Sequence, residues 1–539
     1  MDAAVSRRAQ GRKRERFNLQ AVVDLADLAA MTDTAHGDVE EQPTITELLS
    51  HAPQTYVRPP KSGKKRIRPK GRKNIQPGVL ELIVALLRTP LFFAIAEAME
   101  LPDGFSGPSR QYNSIGVFLW ECLHEEIDSF RRMEAFFAGA DALVWGLVQR
   151  TLEVAWPDHP ERRVGPTPMS RHQFHRHRQQ LRWVYPDYVD RVKDILFAGA
   201  CEQAVAMGYM DPDAGSLANP YIGNVARGDG QFHNARFDAI EGDKVEHPVT
   251  DVPQYARFDP DATLGVDDDT YLLPGYRFVH FHVADPRYEQ EAVLLAFGRA
   301  IEGGEPVIAD MMLRALKARL SGLAHYLYDM ATQGNFANDM YQIDICPITK
   351  LARNNKGEPA NALIEIRGIK LDDGRTINVP LYGLDGVLCA RMPSAGKEFL
   401  VPMIPRYLRK RPPHHFVGEY EFSGHPLIPQ GIRGKRIHVA MNGLTATGQP
   451  RPQYLRWHNE QTELGRELLG QRNSTESQPH SLLEKALDFG RLWSVGEACV
   501  TLDLVGFNLA RNVRAAMAYE RRTGRPPPST ADSPATRAA

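Results

Sequence analysis

The sequence predicts a multidomain α plus α/β chain. A helical N-terminal region precedes an α/β core, and a mostly β insertion interrupts that core. Three observations lead there. Apolar residues recur at three- and four-residue spacing between Pro77 and Trp156, the period of packed helices. After about Tyr221 strand signals alternate with helical ones, as in a layered α/β sheet. Residues 360–445 are dense in proline and glycine and carry paired strand signals around Asp372-Asp373-Gly374, a hairpin turn. With 539 residues, 42% apolar and 24% charged, the composition is that of an ordinary globular protein of roughly two to four domains. Five cysteines, none in a C-x-x-C pair, argue for a reducing compartment rather than a disulfide framework. The Arg-rich start lacks an apolar leader, so the expected location is the cytoplasm.

Taken in order, residues 1–76 form a basic, largely disordered arm. Its densest part runs from Arg58 to Lys73 without an acid, including Lys64, Lys65, Arg66 and Arg68. That run suits either a solvated linker or an arm lying along phosphates. Residues 77–220 form the helical region. The broken apolar stretch Val79–Ala98 reads as a packed helix pair, not a membrane span. The helix from Ser170 to Trp183 has Ser170 as its N-cap and a broad basic face with Arg171, Arg176 and Arg178, suited to a DNA groove. Residues 221–350 and 453–520 make the core. The first part holds Gly228-Asp229-Gly230, a strand Arg277–Val283, a helix Gln290–Ile301, a strand Pro306–Asp310, a helix Met311–Tyr328 and a strand Tyr341–Pro347. Residues 351–452 are the β-rich insertion, and 521–539 a disordered tail.

Phosphodiester chemistry at neutral pH needs an activated oxygen nucleophile and a stabilised leaving oxygen, which two Mg²⁺ ions can supply. Mg²⁺ takes oxygen ligands, so the search is for carboxylates converging from separate elements. Asp229 lies between glycines that let backbone approach closely. Asp310 closes the apolar run Pro306–Ala309, where it serves equally well as a helix cap. Glu476 stands in Gly470-Gln471-Arg472-Asn473-Ser474-Thr475-Glu476, with Glu484 as the alternative third acid.

In order and spacing these pieces resemble the DDE transposases of bacterial insertion sequences. Gly228-Asp229-Gly230 resembles the family's first-Asp strand, Gly275-Tyr276-Arg277-Phe278 the strand after it, and Val307-Ile308-Ala309-Asp310 the second-Asp strand. Arg472, Glu476, Gly496 and the run Asn508–Asn512 resemble the third-acid segment in spacing. Leu469 and Leu483 depart from the Tyr and Lys that one group carries there. The resemblance implies an RNase H-like catalytic core with a β insertion between the second Asp and the Glu. It implies Asp229, Asp310 and Glu476 as catalytic residues and ligands of two Mg²⁺ ions, for which Mn²⁺ can substitute. The activity implied is nicking and strand transfer on double-stranded DNA, by a homodimer in the DNA complex, nucleoid-associated. Arg472 and Lys485 would join Lys64, Lys65, Arg66, Arg68, Arg171, Arg176 and Arg178 as DNA contacts. The alternatives are a catalytically inactive transposase-derived DNA-binding protein, or a nuclease of the same fold that cuts without joining.

Other candidates read differently. No GxxxxGK[ST] loop is present, which argues against ATP-driven chemistry. Asp267-Asp268-Asp269 reads as a solvating loop, and Asp285 competes for the second-Asp role. Cys346, Cys389, His414, His415 and His425 match no zinc spacing. His280 and His282 alternate on one strand and read as packing or solvent contact.

Overall fold

The computed structural model describes Val23–Asp24 and residues 78–527, apart from 103–112, 125, 128, 140–142, 185–186, 247–252, 267–271, 302–303, 330–331, 352–360, 395, 413–415 and 478–490. The architecture is mixed α and β in two compact units. Residues 353–457 build one, with the N-terminal segment to 61; residues 62–352 and 458–539 build the other.

In the larger unit the helical region comes first: α1 (Val79–Leu86), α2 (Pro90–Ala98), α3 (Ser114–Cys122), α4 (Phe130–Ala138), α5 (Leu143–Ala155), α6 (Arg171–Val184) and α7 (Tyr188–Ala206). Helices α1 and α2 bend by 73° at their junction, where Pro90 begins the second helix as proline favours. Among the described residues no single helix is long and apolar enough to cross a membrane. Ser170 caps α6 as expected. Its hydroxyl accepts from Gln173 N at 3.3 Å, and Gln173 Oε1 accepts from Ser170 N at 2.7 Å, a reciprocal capping box.

The core sheet follows: β1 (Val225–Asn234), β2 (Leu272–Val283), β3 (Val293–Ala300), β4 (His325–Tyr328) and β5 (Cys346–Thr349). Their order is β3-β2-β1-β4-β5, and the short strand Thr263–Val266 also pairs with β2. Strands β1, β2 and β3 are antiparallel neighbours, whereas β4 joins β1, and β5 joins β4, in parallel. Helix α8 (Gly304–Arg319) lies between β3 and β4, and α9 (Gly334–Gln342) between β4 and β5. Alternate residues of the sheet enter two cores. Ala226, Phe281 and Tyr326 pack with Leu313 of α8 and Ala204 of α7. Val225, Leu327 and Ile348 pack on the opposite face with Leu468 and Leu469 of α10 (Glu463–Ser477). Apolar burial on both faces is what a parallel sheet covered by helices requires.

The longest helix, α11 (Glu497–Thr523), crosses α3 closely. A Cβ at Gly506 would lie 2.5 Å from the Glu121 backbone. Asp259 and Asp261 accept from Gly496 N and Glu497 N at the helix start. The Asn512 side chain bonds both backbone groups of Leu294 on β3, accepting from N at 2.8 Å and donating to O at 2.9 Å.

Four expectations are corrected. Pro306–Asp310 is the first part of α8, not a strand. Gly304 with φ +71° turns the chain in, Pro306 suits a first helical turn, and Ala309, Leu313 and Leu316 fall on one buried helical stripe. The expected helix Gln290–Ile301 is a short 3-10 turn (Pro286–Glu291) followed by strand β3. The expected helix Met311–Tyr328 ends at Arg319 and is followed by β4, and the strand expected from Tyr341 begins only at Cys346.

In the smaller unit, β6 (Asn361–Lys370), β7 (Thr376–Leu384), β8 (Val387–Ser394) and β9 (Lys397–Pro402) form an antiparallel meander, with Val23–Asp24 on the β9 edge. Strands β10 (Ile404–Lys410), β11 (Phe416–Glu421) and β12 (Arg436–Ala440) make a second antiparallel sheet. The hairpin turn stands where expected, with Gly374 at φ +85°.

Candidate active site and nucleic-acid interface

The parallel register of β1 and β4 sets the geometry of the acids. Val225, Ala226 and Arg227 stand opposite His325, Tyr326 and Leu327. Extended two residues past the last pair of this ladder, the register would set Asp229 against Asp329, the residue that follows β4. Parallel neighbours lie about 5 Å apart, and residues in step point to the same side. Asp229 and Asp329 therefore share the face that α10 covers, at the carboxyl end of β4. Both are half-buried.

The opposite face explains the glycines around Asp229. A Cβ at Gly228 would meet the Phe281 ring at 2.4 Å and the Tyr328 ring at 2.6 Å, and one at Gly230 would strike the Glu305 carboxylate at 1.8 Å. The expected close approach is real, but what approaches is protein. Glu305 is buried and accepts from Tyr328 Oη at 2.9 Å and from Arg277 at 3.0 Å. Burial pushes the Tyr328 phenol well up, and the charges of Glu305, Asp329 and Asp229 add to it.

Asp310 lies elsewhere. It stands in α8, and Arg314 one turn on donates to its Oδ2 at 2.8 Å, an ordinary i,i+4 helix pair. Asp285 caps the following 3-10 turn and pairs with Arg287. Arg472 and Glu476 fall in α10, described in backbone only. Helix α10 runs in the sense of β1: Leu464 and Leu468 pack near Val225, and Gln471 Oε1 accepts from Arg227 at 3.2 Å. Glu484 and Lys485 lie outside the described residues, as do Lys64, Lys65, Arg66, Arg68, Asp267, Asp268, Asp269, His414 and His415.

The sequence reading missed Asp329. The signal was available: Leu323-Ala324-His325-Tyr326-Leu327-Tyr328 is an apolar run closed by an acid, the pattern assigned to Asp310. It was hidden inside an over-long helix.

A second charged feature is a groove of about 930 Å³ along α6, lined by Phe130, Arg131, Arg171, His175, Arg182, Arg236 and Trp493 among others. Partial burial and the charges of Arg178, Arg171, Arg236 and His172 push the His175 imidazole down to about 4, the sign of a cationic surrounding. Arg171 lines this groove and Arg176 is exposed on the same helix. Arg178 corrects its expectation as a surface DNA contact. It is 3% exposed and held by Glu121 at 3.2 Å and Asp503 at 2.9 Å, a buried ion pair whose removal would strand two carboxylates. His280 and His282 are buried as expected for packing, and burial pushes their imidazoles down to about 4 and about 3.

No family model matches the chain, and no curated protein matches it. Among solved structures, the chain is similar to a piggyBac transposase in a synaptic complex with hairpin DNA. The identity is 10% over 84% of this chain and 82% of that one, with a TM-score of 0.26. The chain thus has a distant structural neighbour among transposases, at a similarity that by itself fixes neither fold nor function.

Proposed function

We propose that the core is RNase H-like and that the chain is a DNA transposase of the DDE kind, with Asp329 in the role first assigned to Asp310. The reading rests on two half-buried carboxylates, Asp229 in β1 and Asp329 just after β4, which the parallel β1–β4 register, carried two residues past its last pair, would set side by side on the face crossed by α10. The third acid is Glu476. From the Arg227–Gln471 contact, two residues along β1 advance about 7 Å, or four to five residues of helix, which reaches the level of position 476. Glu463 and Glu467 precede Gln471 and are exposed.

The donor set fits Mg²⁺, which prefers carboxylate oxygens in sites open to water and substrate phosphate. Bound there, two such ions would activate the attacking water or 3′-hydroxyl and stabilise the leaving oxygen. The chain's own part is to hold Asp229 and Asp329 on a buried sheet and to bring DNA phosphates along the α6 groove through Arg171, Arg182 and Arg236. Double-stranded DNA is the substrate, and two copies of the chain would pair two element ends.

The test is a Mg²⁺-dependent nicking and strand-transfer assay on DNA carrying the sequences that flank the coding region on both sides. Asp229→Ala and Asp329→Ala should abolish both steps, while Asp310→Ala keeps them. Activity surviving in a folded Asp329→Ala variant would sink the assignment. Cutting without joining would instead favour a nuclease, and binding without cutting an inactive derivative.

A further inference from the structure

We propose that His325, Cys346 and His458 form a buried binding site for a divalent cation of the zinc class. One ring nitrogen from each histidine and the Cys346 sulfur lie within 4.8 Å of one another. The three residues are 1%, 0% and 1% exposed. His325 opens β4 and Cys346 opens β5, and the two are direct partners in the parallel ladder. His458 is the first residue of the larger unit after the β insertion.

The surroundings favour ligation over simple packing. The Leu217 carbonyl oxygen lies 3.0 Å from Nε2 of His325 and 3.1 Å from Nε2 of His458. One fixed acceptor orients both rings, as backbone carbonyls do around metal-bound histidines. The two imidazoles and the thiol are three donors of the kinds that zinc prefers. The comparable cluster Glu121, His124 and Asp503 differs, because the Arg178 guanidinium already sits against both of its carboxylates.

Such a cation would tie three separate segments together: the starts of β4 and β5, and the chain just before α10. The site lies four residues before Asp329 on the same strand, about 13 Å away. It is thus separate from the carboxylate pair in place and in donor type, and stands whether or not the chain cuts DNA.

The test uses the full-length protein. After incubation with zinc and desalting, elemental analysis should find one zinc per chain. The content should fall to background in Cys346→Ser and His458→Gln and persist in Cys201→Ser. Titration with Co²⁺ should give a thiolate charge-transfer band saturating at one equivalent, present in Cys201→Ser and absent in Cys346→Ser. Zinc content unchanged in Cys346→Ser would overturn the proposal. Should Cys346→Ser fail to fold, the wild-type Co²⁺ titration decides: a saturating thiolate band supports the site, and no band overturns it.

Discussion

The carboxylate pair and the cationic groove are both charge clusters of the larger unit, yet they are assembled in opposite ways. The groove takes much of its charge from one helix, where Arg171, His172, His175 and Arg182 follow one another closely. The pair joins residues from distant parts of the chain, Asp229 and Asp329, through strand register alone. A cluster built along one helix survives the loss of a member; a cluster built from two strand ends does not. The difference suits the roles proposed for them, because a phosphate track tolerates loose geometry whereas metal ligands do not.

The comparison breaks most plainly at Asp329. Asp329→Ala should lower DNA cleavage by at least about 1,000-fold, some 4 kcal/mol of transition-state stabilisation, while binding to the same DNA in a gel-shift assay stays near wild type. Loss of binding in parallel with cleavage would mean that the two regions are not separate.

Gly230→Ala should act next, through the fold. The added Cβ meets the Glu305 carboxylate, which Tyr328 and Arg277 hold in place. Crowding of that kind costs about 1–3 kcal/mol, read as a lowered midpoint in urea unfolding.

At the groove, the neutral His175 imidazole reports the field. A bound phosphate offsets the neighbouring charges, so its pKa should rise from about 4 toward the ordinary histidine value. The bound state then holds more protons than the free state, and affinity strengthens as pH falls through the raised pKa. The expected gain is about a few-fold between pH 7 and 5, checked by fluorescence anisotropy and by NMR titration of the ring. His175→Gln should remove this dependence. The smallest effect is expected from Arg182→Gln, which should reduce the salt dependence of DNA binding by about one unit of slope.

Much of the fold was legible in the sequence. The helical region, the Ser170 cap and the β hairpin at Asp372-Asp373-Gly374 follow from local chemistry, and their positions agree with it. The core was harder because strand and helix signals overlap in short apolar runs. Pro306–Asp310 has strand-like composition, yet the stripe Ala309, Leu313 and Leu316 decides for a helix. That misplacement drew attention to Asp310 and away from Asp329, which closes the apolar run of β4. Arg178 was misplaced for another reason: its partners Glu121 and Asp503 come from two other helices, and no local pattern announces a buried counter-charge. The proposed zinc-class site was invisible for the same reason, since His325, Cys346 and His458 meet only through the fold of β4, β5 and the returning chain.

Among the described residues, strand β3 pairs with β2 alone. An edge strand with bare amides and carbonyls invites another chain to add to the sheet. At Leu294 the Asn512 amide already engages both backbone groups, doing there what a neighbouring strand would do. One side chain from α11 thereby closes the outer rim of the sheet at that point. Its loss would show first as self-association of a still folded protein.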